Sequence, residues 1–373
     1  MTAVADVEIG KGKSGRRAYA FDDIAVVPSR RTRAPEDISL AWQIDAYRFE
    51  LPFLVAPMDS VVSPATAIQL GRLGALGVLN LEGLWTRYDD PQPLLDEIAH
   101  LPADRATRRM QELYREPIRE ELIGQRLQEI RDAGVTVAGA LSPQRTVELH
   151  KAVLAAGVDL FVIRGTVVSA EHVSSASEPL NLKQFIYELD VPVIVGGCAT
   201  YQAALHLMRT GAAGVLVGSG GGPSHTTRKV LGIAVPMATA VADVAAARRD
   251  YLDESGGRYV HVIADGSMGN GGDIAKAIAC GADAAMIGTP LARATDAPGQ
   301  GWHWGNEAVH ADLPRGGRVN LGTVGTMQEV LFGPSTVADG SMNIAGGLRH
   351  AMSATGYKDL KEMQRVEVVV SPV

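Results

Sequence analysis

The sequence predicts an α/β protein, a single (β/α)8 TIM barrel spanning residues 1–373. Three observations lead there. Eight short runs of strand length, rich in Val, Ile, Leu and Ala, recur along the chain. They are continuously apolar rather than alternating, as parallel strands covered on both faces are. Helix-like segments lie between them, opening on capping residues and closing on glycine. Eight β units alternating with α units favour a closed barrel, and a doubly wound open sheet is the alternative, because apolar runs alone do not prove closure.

The first run is "FLVAP" (53–57), followed by "SPATAIQLGRLG", where Ser63 suits an N-cap and Pro64 the first helical position. "ALGVLN" (75–80) is the second strand and "VTVAGA" (135–140) the third. "SPQRTVELHKAVLAAG" then repeats the Ser-Pro opening at Ser142 and Pro143 and ends on Gly157. "DLFVIRG" (159–165), "VPVIVGG" (191–197) and "AGVLVGS" (213–219) follow, with the helix "TYQAALHLMRTG" between the last two. "VHVIADG" (260–266) and "AAMIGT" (284–289) complete the set, joined by "GDIAKAIACG".

Two segments fall outside the repeat. Residues 86–126, between the second and third strands, are charged and helix-prone, and read as a solvated helical excursion too short for a domain. Residues 297–345 are rich in Gly and Asp without clear periodicity. Placed after the last strand, such a segment is either a flap-like cover over the active site or disordered.

Composition excludes several classes. A net charge of −7 argues against a general nucleic-acid-binding surface, although backbone amides and local arginines bind anions whatever the overall charge. Two cysteines, Cys198 and Cys280, make no disulfide framework and fit a reducing cytoplasm. The N-terminal "MTAVADVEIGKGKSGRRAYA" has no apolar core of the signal-peptide kind, and no apolar run is long enough to span a membrane. A cytoplasmic enzyme is the expectation.

In a barrel, the loops after the carboxyl ends of the strands form the active site. That rule selects "APMDS" (56–60), "RGTVVS" (164–169), "GGCAT" (196–200), "VGSGGGPSHTTR" (217–228), "ADGSMGNGG" (264–272) and "GTP" (288–290). Gly266, Ser267, Gly288 and Thr289 follow strands seven and eight, the usual phosphate grip, and offer amides and hydroxyls to a phosphate. Asp265 is placed either to accept hydrogen bonds from a ribose diol or to cap the next helix, and spacing leaves both open. His225 follows a glycine cluster, where a reactive side chain can sit against a ligand.

Over nearly its whole length the chain resembles the IMP dehydrogenase and GMP reductase family. "YAFDDIAVVPSR" is similar to the family's N-terminal segment, and "LPFLVAPMDSVVSPATAIQLGRLGALGVLN" to its first βαβ unit. "GSGGGPSHTTRKVLGIAVPMATAV" resembles the catalytic loop and its following helix, and "VIADGSMGNGGDIAKAIACGADAAMIGTPLARATDAPG" the phosphate-site region. "GGLRHAMSATGYKDLKEM" is similar to the closing segment. The resemblance implies hydride exchange between a purine ribonucleotide and NAD or NADP. It places Met58 near the base, Asp265 on the ribose hydroxyls, and Gly266, Ser267, Gly288 and Thr289 on the 5′-phosphate. It puts Arg164 and Gly165 beside the cofactor, and a monovalent cation such as potassium on the loop at Gly220, Gly222 and His225. It also implies a homo-oligomer, a tetramer of barrels. The regulatory CBS pair of many members is replaced here by the excursion at 86–126.

The departures fall on the chemistry. His225 stands where the family carries its nucleophilic cysteine, and Pro223 where it carries a phosphate-binding serine. Leu216 replaces an arginine, Arg164 an aspartate on the cofactor ribose, and Ala56 a serine, while the flap's Arg-Tyr pair has no counterpart in 305–345. Thr227 is kept where the dehydrogenase holds a threonine near its water. Imidazole is a poor substitute nucleophile, because its adduct at purine C2 is cationic. His225 as a general base activating water and His225 as a plain hydrogen-bonding loop residue both stand open. Cys198 offers a thiol from another loop or a small packed residue. Three functions therefore compete: a purine-nucleotide oxidoreductase, a nucleotide-binding protein without turnover, and an enzyme of another class in which His225 activates water on a phosphorylated ligand.

Overall fold

A computed structural model describes residues 6–175, 179–225, 227–310 and 317–371. Eight parallel strands close into a barrel: β1 Phe53–Val55, β2 Leu76–Asn80, β3 Ala138–Leu141, β4 Leu160–Arg164, β5 Val193–Cys198, β6 Gly214–Val217, β7 His261–Asp265 and β8 Ala284–Ile287. Pairing of Ala285 with Phe53 and Met286 with Leu54 joins the last strand to the first. The open-sheet alternative is thereby excluded. Strand side chains are buried on both faces, which is why the runs do not alternate. Each large apolar side chain so placed contributes about 1.5–3 kcal/mol.

Helices α1 Pro64–Arg72, α2 Gln92–His100, α3 Ala103–Leu113, α4 Glu120–Asp132, α5 Pro143–Ala155, α6 Leu182–Tyr187, α7 Tyr201–Arg209, α8 Met237–Glu254 and α9 Gly271–Ala279 follow in order. The Ser-Pro openings behave as the sequence suggests, with Ser63 Oγ accepting from the Thr66 amide at 3.1 Å and Ser142 Oγ from the Arg145 amide at 3.3 Å. After β8 come α10 Thr289–Ala292, α11 Met327–Phe332, α12 Ile344–Thr355 and α13 Leu360–Met363.

The two segments outside the repeat meet each other. The inner face of the excursion is not solvated: Leu95 and Ile98 of α2 and Met110 and Leu113 of α3 are buried in a small second core with Trp304 and Ala308 of the flap-like segment. That segment is built from short elements, a Trp302–His303/Val319–Asn320 strand pair and a 3-10 turn at Asn306–Ala308. Residues 311–316 of it lie outside the described residues. Arg318 fixes the return strand by covering the Trp302 ring at 3.9 Å and donating to the carbonyls of Ile98, Ala99 and Leu101 at the α2 C-terminus. The sequence hid this because the apolar positions of α2 and α3 are few and diluted by charge.

At the opposite end of the barrel, Asp283 lies just before β8 with only 2% of its surface exposed. It accepts from Arg248 and Tyr259 at 2.7 Å, from the Val262 amide at 2.8 Å, and from Lys361 at 2.5 Å and Gln364 at 3.0 Å. Burial alone would raise its carboxyl, yet the Arg248 and Lys361 charges hold it below the ordinary range. This cluster ties α8, β7 and the C-terminal α13 to the barrel floor. Asp283→Ala strands Arg248 in a buried site and is expected to cost about 3–5 kcal/mol in urea unfolding. A loss under 1 kcal/mol contradicts that role.

Candidate active site

The C-terminal ends of the strands gather the residues that the sequence singles out. Met58 follows β1, Arg164 ends β4, and Asp265 ends β7 with Gly266 and Ser267 in positive-φ turns behind it. Gly288 and Thr289 pass from β8 into α10. Met58, Asp265, Gly266, Ser267, Gly288 and Thr289 border one common space, together with Arg164, Gly220, Gly222 and His225. That space is about 30 Å³, room for roughly one water. The glycine loop fills the rest, with Ser267 Oγ donating to the Gly221 carbonyl at 3.2 Å. Two larger cavities flank the loop. One of about 640 Å³ opens toward β2–β4, with Arg87, Tyr114, Arg145 and Gly165 on its walls, and one of about 430 Å³ lies toward Arg228, Lys229 and Met237.

Not every expected residue faces these spaces. Thr227 is buried behind Gly220, where a Cβ would sit 3.1 Å from the threonine hydroxyl, and it lines none of the three cavities. Arg164 donates to Asp265 Oδ2 at 3.1 Å, so one oxygen expected for a ribose is already engaged. The Gly222 carbonyl accepts the His225 amide at 3.0 Å, closing a turn within the loop expected to hold a cation.

The flap supplies the group that the sequence did not disclose. His225 Nδ1 lies 2.5 Å from Glu307 Oε1, and both side chains are nearly covered. Burial alone would raise the Glu307 carboxyl, but the His225 hydrogen bond and charge outweigh it and hold it below the ordinary carboxylate range. An ionised carboxylate only accepts, so Nδ1 carries a proton, and the tautomer this selects has its lone pair on Nε2. The ring borders all three cavities. Gly305 permits this approach, since a Cβ there would lie 3.0 Å from His225 Cε1 and 2.8 Å from a Glu307 oxygen.

A buried chain of hydrogen bonds sets the flap at that height. Trp304 Nε1 donates to Tyr114 Oη at 3.0 Å, and Tyr114 donates to Asp59 Oδ2 at 2.6 Å. The Leu84 amide reaches the same oxygen at 2.8 Å, and Asn80 bridges Asp59 to Asn306, the neighbour of Glu307. Burial pushes the Asp59 carboxyl above its usual range against these donors. Gly83 is required beside it, because a Cβ would fall 1.9 Å from Asp59 Oδ1.

A family model, the IMP dehydrogenase / GMP reductase domain, matches residues 18–312. The chain belongs to that family. It is 54% identical over 372 residues to an uncharacterized oxidoreductase of Mycolicibacterium smegmatis, covering 98% of this chain and 99% of that one. It is 27% identical over 484 residues, covering 96% of this chain and 93% of the other, to the inosine-5′-monophosphate dehydrogenase of Methanocaldococcus jannaschii. A solved structure of an IMP dehydrogenase/GMP reductase-like protein from Corynebacterium glutamicum superposes with a TM-score of 0.93 at 50% identity, covering 98% of each chain.

Neither cysteine borders any of the three cavities. Cys198 is buried, donates to the Leu216 carbonyl at 3.4 Å, and has its thiol pushed up to about 12 by burial. Cys280 borders none of the three cavities. A second histidine does border the small space: His303, buried, 3.1 Å from Ser60 Oγ through Nδ1. Burial, aided by the nearby His225 charge, lowers it to about 3, so it is neutral at physiological pH. "WHWGNEAVH" carried the signal for His303 and Glu307: aromatic residues around a histidine and a carboxylate within a segment otherwise rich in glycine.

Two outcomes follow from these contacts. Tyr114→Phe leaves Asp59 without its shortest donor, and is expected to cost about 1–3 kcal/mol and to speed proteolytic cutting between 302 and 310. Unchanged melting and cutting contradict the pinning. His303 and His261, the latter lowered to about 4 by burial, stay neutral in the fold while an unfolded histidine takes a proton near pH 6.5. Stability therefore falls as pH drops from about 6.5 to 4.5, by up to about 1.4 kcal/mol per pH unit for each ring. Urea titrations across that window should show a shallower slope for His303→Gln than for wild type.

Proposed function

We propose that the protein is a nicotinamide-dependent oxidoreductase that exchanges hydride at the purine ring of a nucleotide such as IMP or GMP. The observation that carries this reading is the convergence of Met58, Asp265, Gly266, Ser267, Gly288 and Thr289 on one space beside His225, in a chain of this family. Backbone amides and hydroxyls at the β7 and β8 ends suit a 5′-phosphate. The oxidoreductase names of its relatives point the same way.

Ligand sites of this kind measure about 300–1,000 Å³, so the nucleotide needs the glycine loop lifted away from Ser267. Positive φ at Gly218 and Gly220 gives the loop glycine's backbone freedom, and among the described residues the side-chain bonds such a movement works against are Ser267–Gly221 and His225–Glu307. The 640 Å³ cavity suits a dinucleotide in size, and Arg87 and Arg145 suit its pyrophosphate. When bound, that group takes up or supplies the hydride. The carbonyl-ligated potassium site implied by the family is part of this reading, although the Gly222 carbonyl is engaged within the loop.

Two further features belong to it. Val230, Leu231 and Ile233 stand 43–50% exposed just after the loop and support assembly with further copies, a tetramer being the family's form. Free thiols at Cys198 and Cys280 suit the reducing cytoplasm. No helix among the described residues is long and apolar enough to cross a membrane.

The test pairs binding with turnover. Calorimetry with IMP and GMP should show a one-to-one site, and hydrogen exchange should show the amides of 218–225 changing when the nucleotide binds. Absorbance of the reduced cofactor should then report turnover with IMP plus NAD or NADP, or GMP plus NADPH. Binding without any turnover favours a nucleotide-binding protein, a reading to which the missing thiol lends support. Absence of binding by either nucleotide contradicts both.

A further inference from the structure

The site holds a proton-accepting pair where the reaction's nucleophile is expected. We propose that the nucleophile is water, activated directly by the His225–Glu307 pair, and that oxidation of the purine passes through a covalent hydrate and not through an enzyme thioether. The proposal rests on the purine-nucleotide reading above, and it concerns how this chain's own residues carry that reaction.

Three observations lead to it. Glu307 sits 2.5 Å from His225 Nδ1, fixing the tautomer that leaves Nε2 free to accept a proton. The described residues give Nε2 no hydrogen-bond partner, and the ring borders the space that Met58 and Thr289 share. No thiol borders any of the three cavities, and the Cys198 thiol is held protonated behind the β6 carbonyl that it touches. A base oriented by a carboxylate, with no thiol on its cavities and, among the described residues, no hydroxyl hydrogen-bonded to its Nε2, is an arrangement for activating water.

The step balances. As the water oxygen bonds to purine C2, one water proton passes to His225 Nε2 and the C2=N3 electron pair moves to N3. N3 then takes up that proton, giving a tetrahedral carbon that bears H and OH. C2–H next leaves as hydride to the nicotinamide, which is reduced. The hydroxyl proton passes to His225 as the C2=O bond forms, and is released to solvent. Water, nucleotide and oxidised nicotinamide thus yield the 2-oxo nucleotide, reduced nicotinamide and one proton. Glu307 is a positioning residue throughout, stabilising the imidazolium that forms twice, while His303 stays neutral close by and brings no competing charge.

The experiment uses the full chain, IMP, and NAD or NADP. First, protein quenched during turnover is weighed intact: wild type should carry no nucleotide adduct, and a Cys198→Ala/Cys280→Ala variant should keep its turnover within about threefold. Second, His225→Ala should lose about 10²–10⁴-fold in kcat while binding IMP as wild type does, and added imidazole should restore part of the rate. Third, Glu307→Gln should lower kcat about tenfold or more with the KM for IMP little changed, and Glu307→Asp should recover part of that loss; calorimetric IMP binding reports that each variant is folded.

A nucleotide adduct on any cysteine of the turning-over protein, or loss of turnover in the cysteine-free variant, overturns the hydrate route and leaves the purine reading standing. So does a His225→Ala variant with wild-type kcat. Wild type that binds IMP but never reduces either cofactor overturns the route and leaves a binding protein. Absence of IMP binding fails the reading beneath, and the route with it.

Discussion

The site depends on one buried carboxylate. Asp59 takes the Tyr114 hydroxyl, the Leu84 amide and the Asn80 side chain out of water, and through Tyr114 it reaches Trp304. A buried carboxylate short of donors is costly, so each of these contacts supports the others, and the network holds or fails largely as a unit. Its consequence is positional. It joins the end of β2, the helical excursion and the flap, and so delivers Glu307 to His225.

That connection explains why a short, charged excursion can stand between β2 and β3. Its helices give the flap an apolar seat, closed over Trp304 and locked by Arg318 on the last turn of α2. Two histidines then meet opposite environments within the same mouth. His225 is hydrogen-bonded to the Glu307 carboxylate, whereas His303 is stripped of water and kept neutral. Separating two similar groups by surroundings is how one cavity assigns distinct protonation roles. In the proposed chemistry the first moves protons and the second does not.

Much of the scaffold was legible because parallel strands covered on both faces leave uninterrupted apolar runs, and all eight runs are barrel strands. The Ser63 and Ser142 caps were legible for an equally local reason. Mouth residues such as Ser267 and Thr289 could be named because strand ends fix them. Glu307 could not, because its role arises from a contact with His225 across 82 residues, made by a flap with no periodicity of its own. The seat of that flap was hidden likewise: Leu95, Ile98, Met110 and Leu113 look like sparse apolar positions on solvated helices until Trp304 packs on them. The ion pair of Arg164 with Asp265 was hidden too, since β4 and β7 are not neighbours in the barrel.

Hydrogen exchange followed by mass spectrometry on the ligand-free protein tests the central connection most directly. If the Asp59 network seats the flap on the excursion, the amides of 302–309 are protected and open with the same free energy as those of α2 and α3. Tyr114→Phe then lowers all three together. Flap amides exchanging at unprotected rates, while α2 and α3 remain protected, would contradict the account.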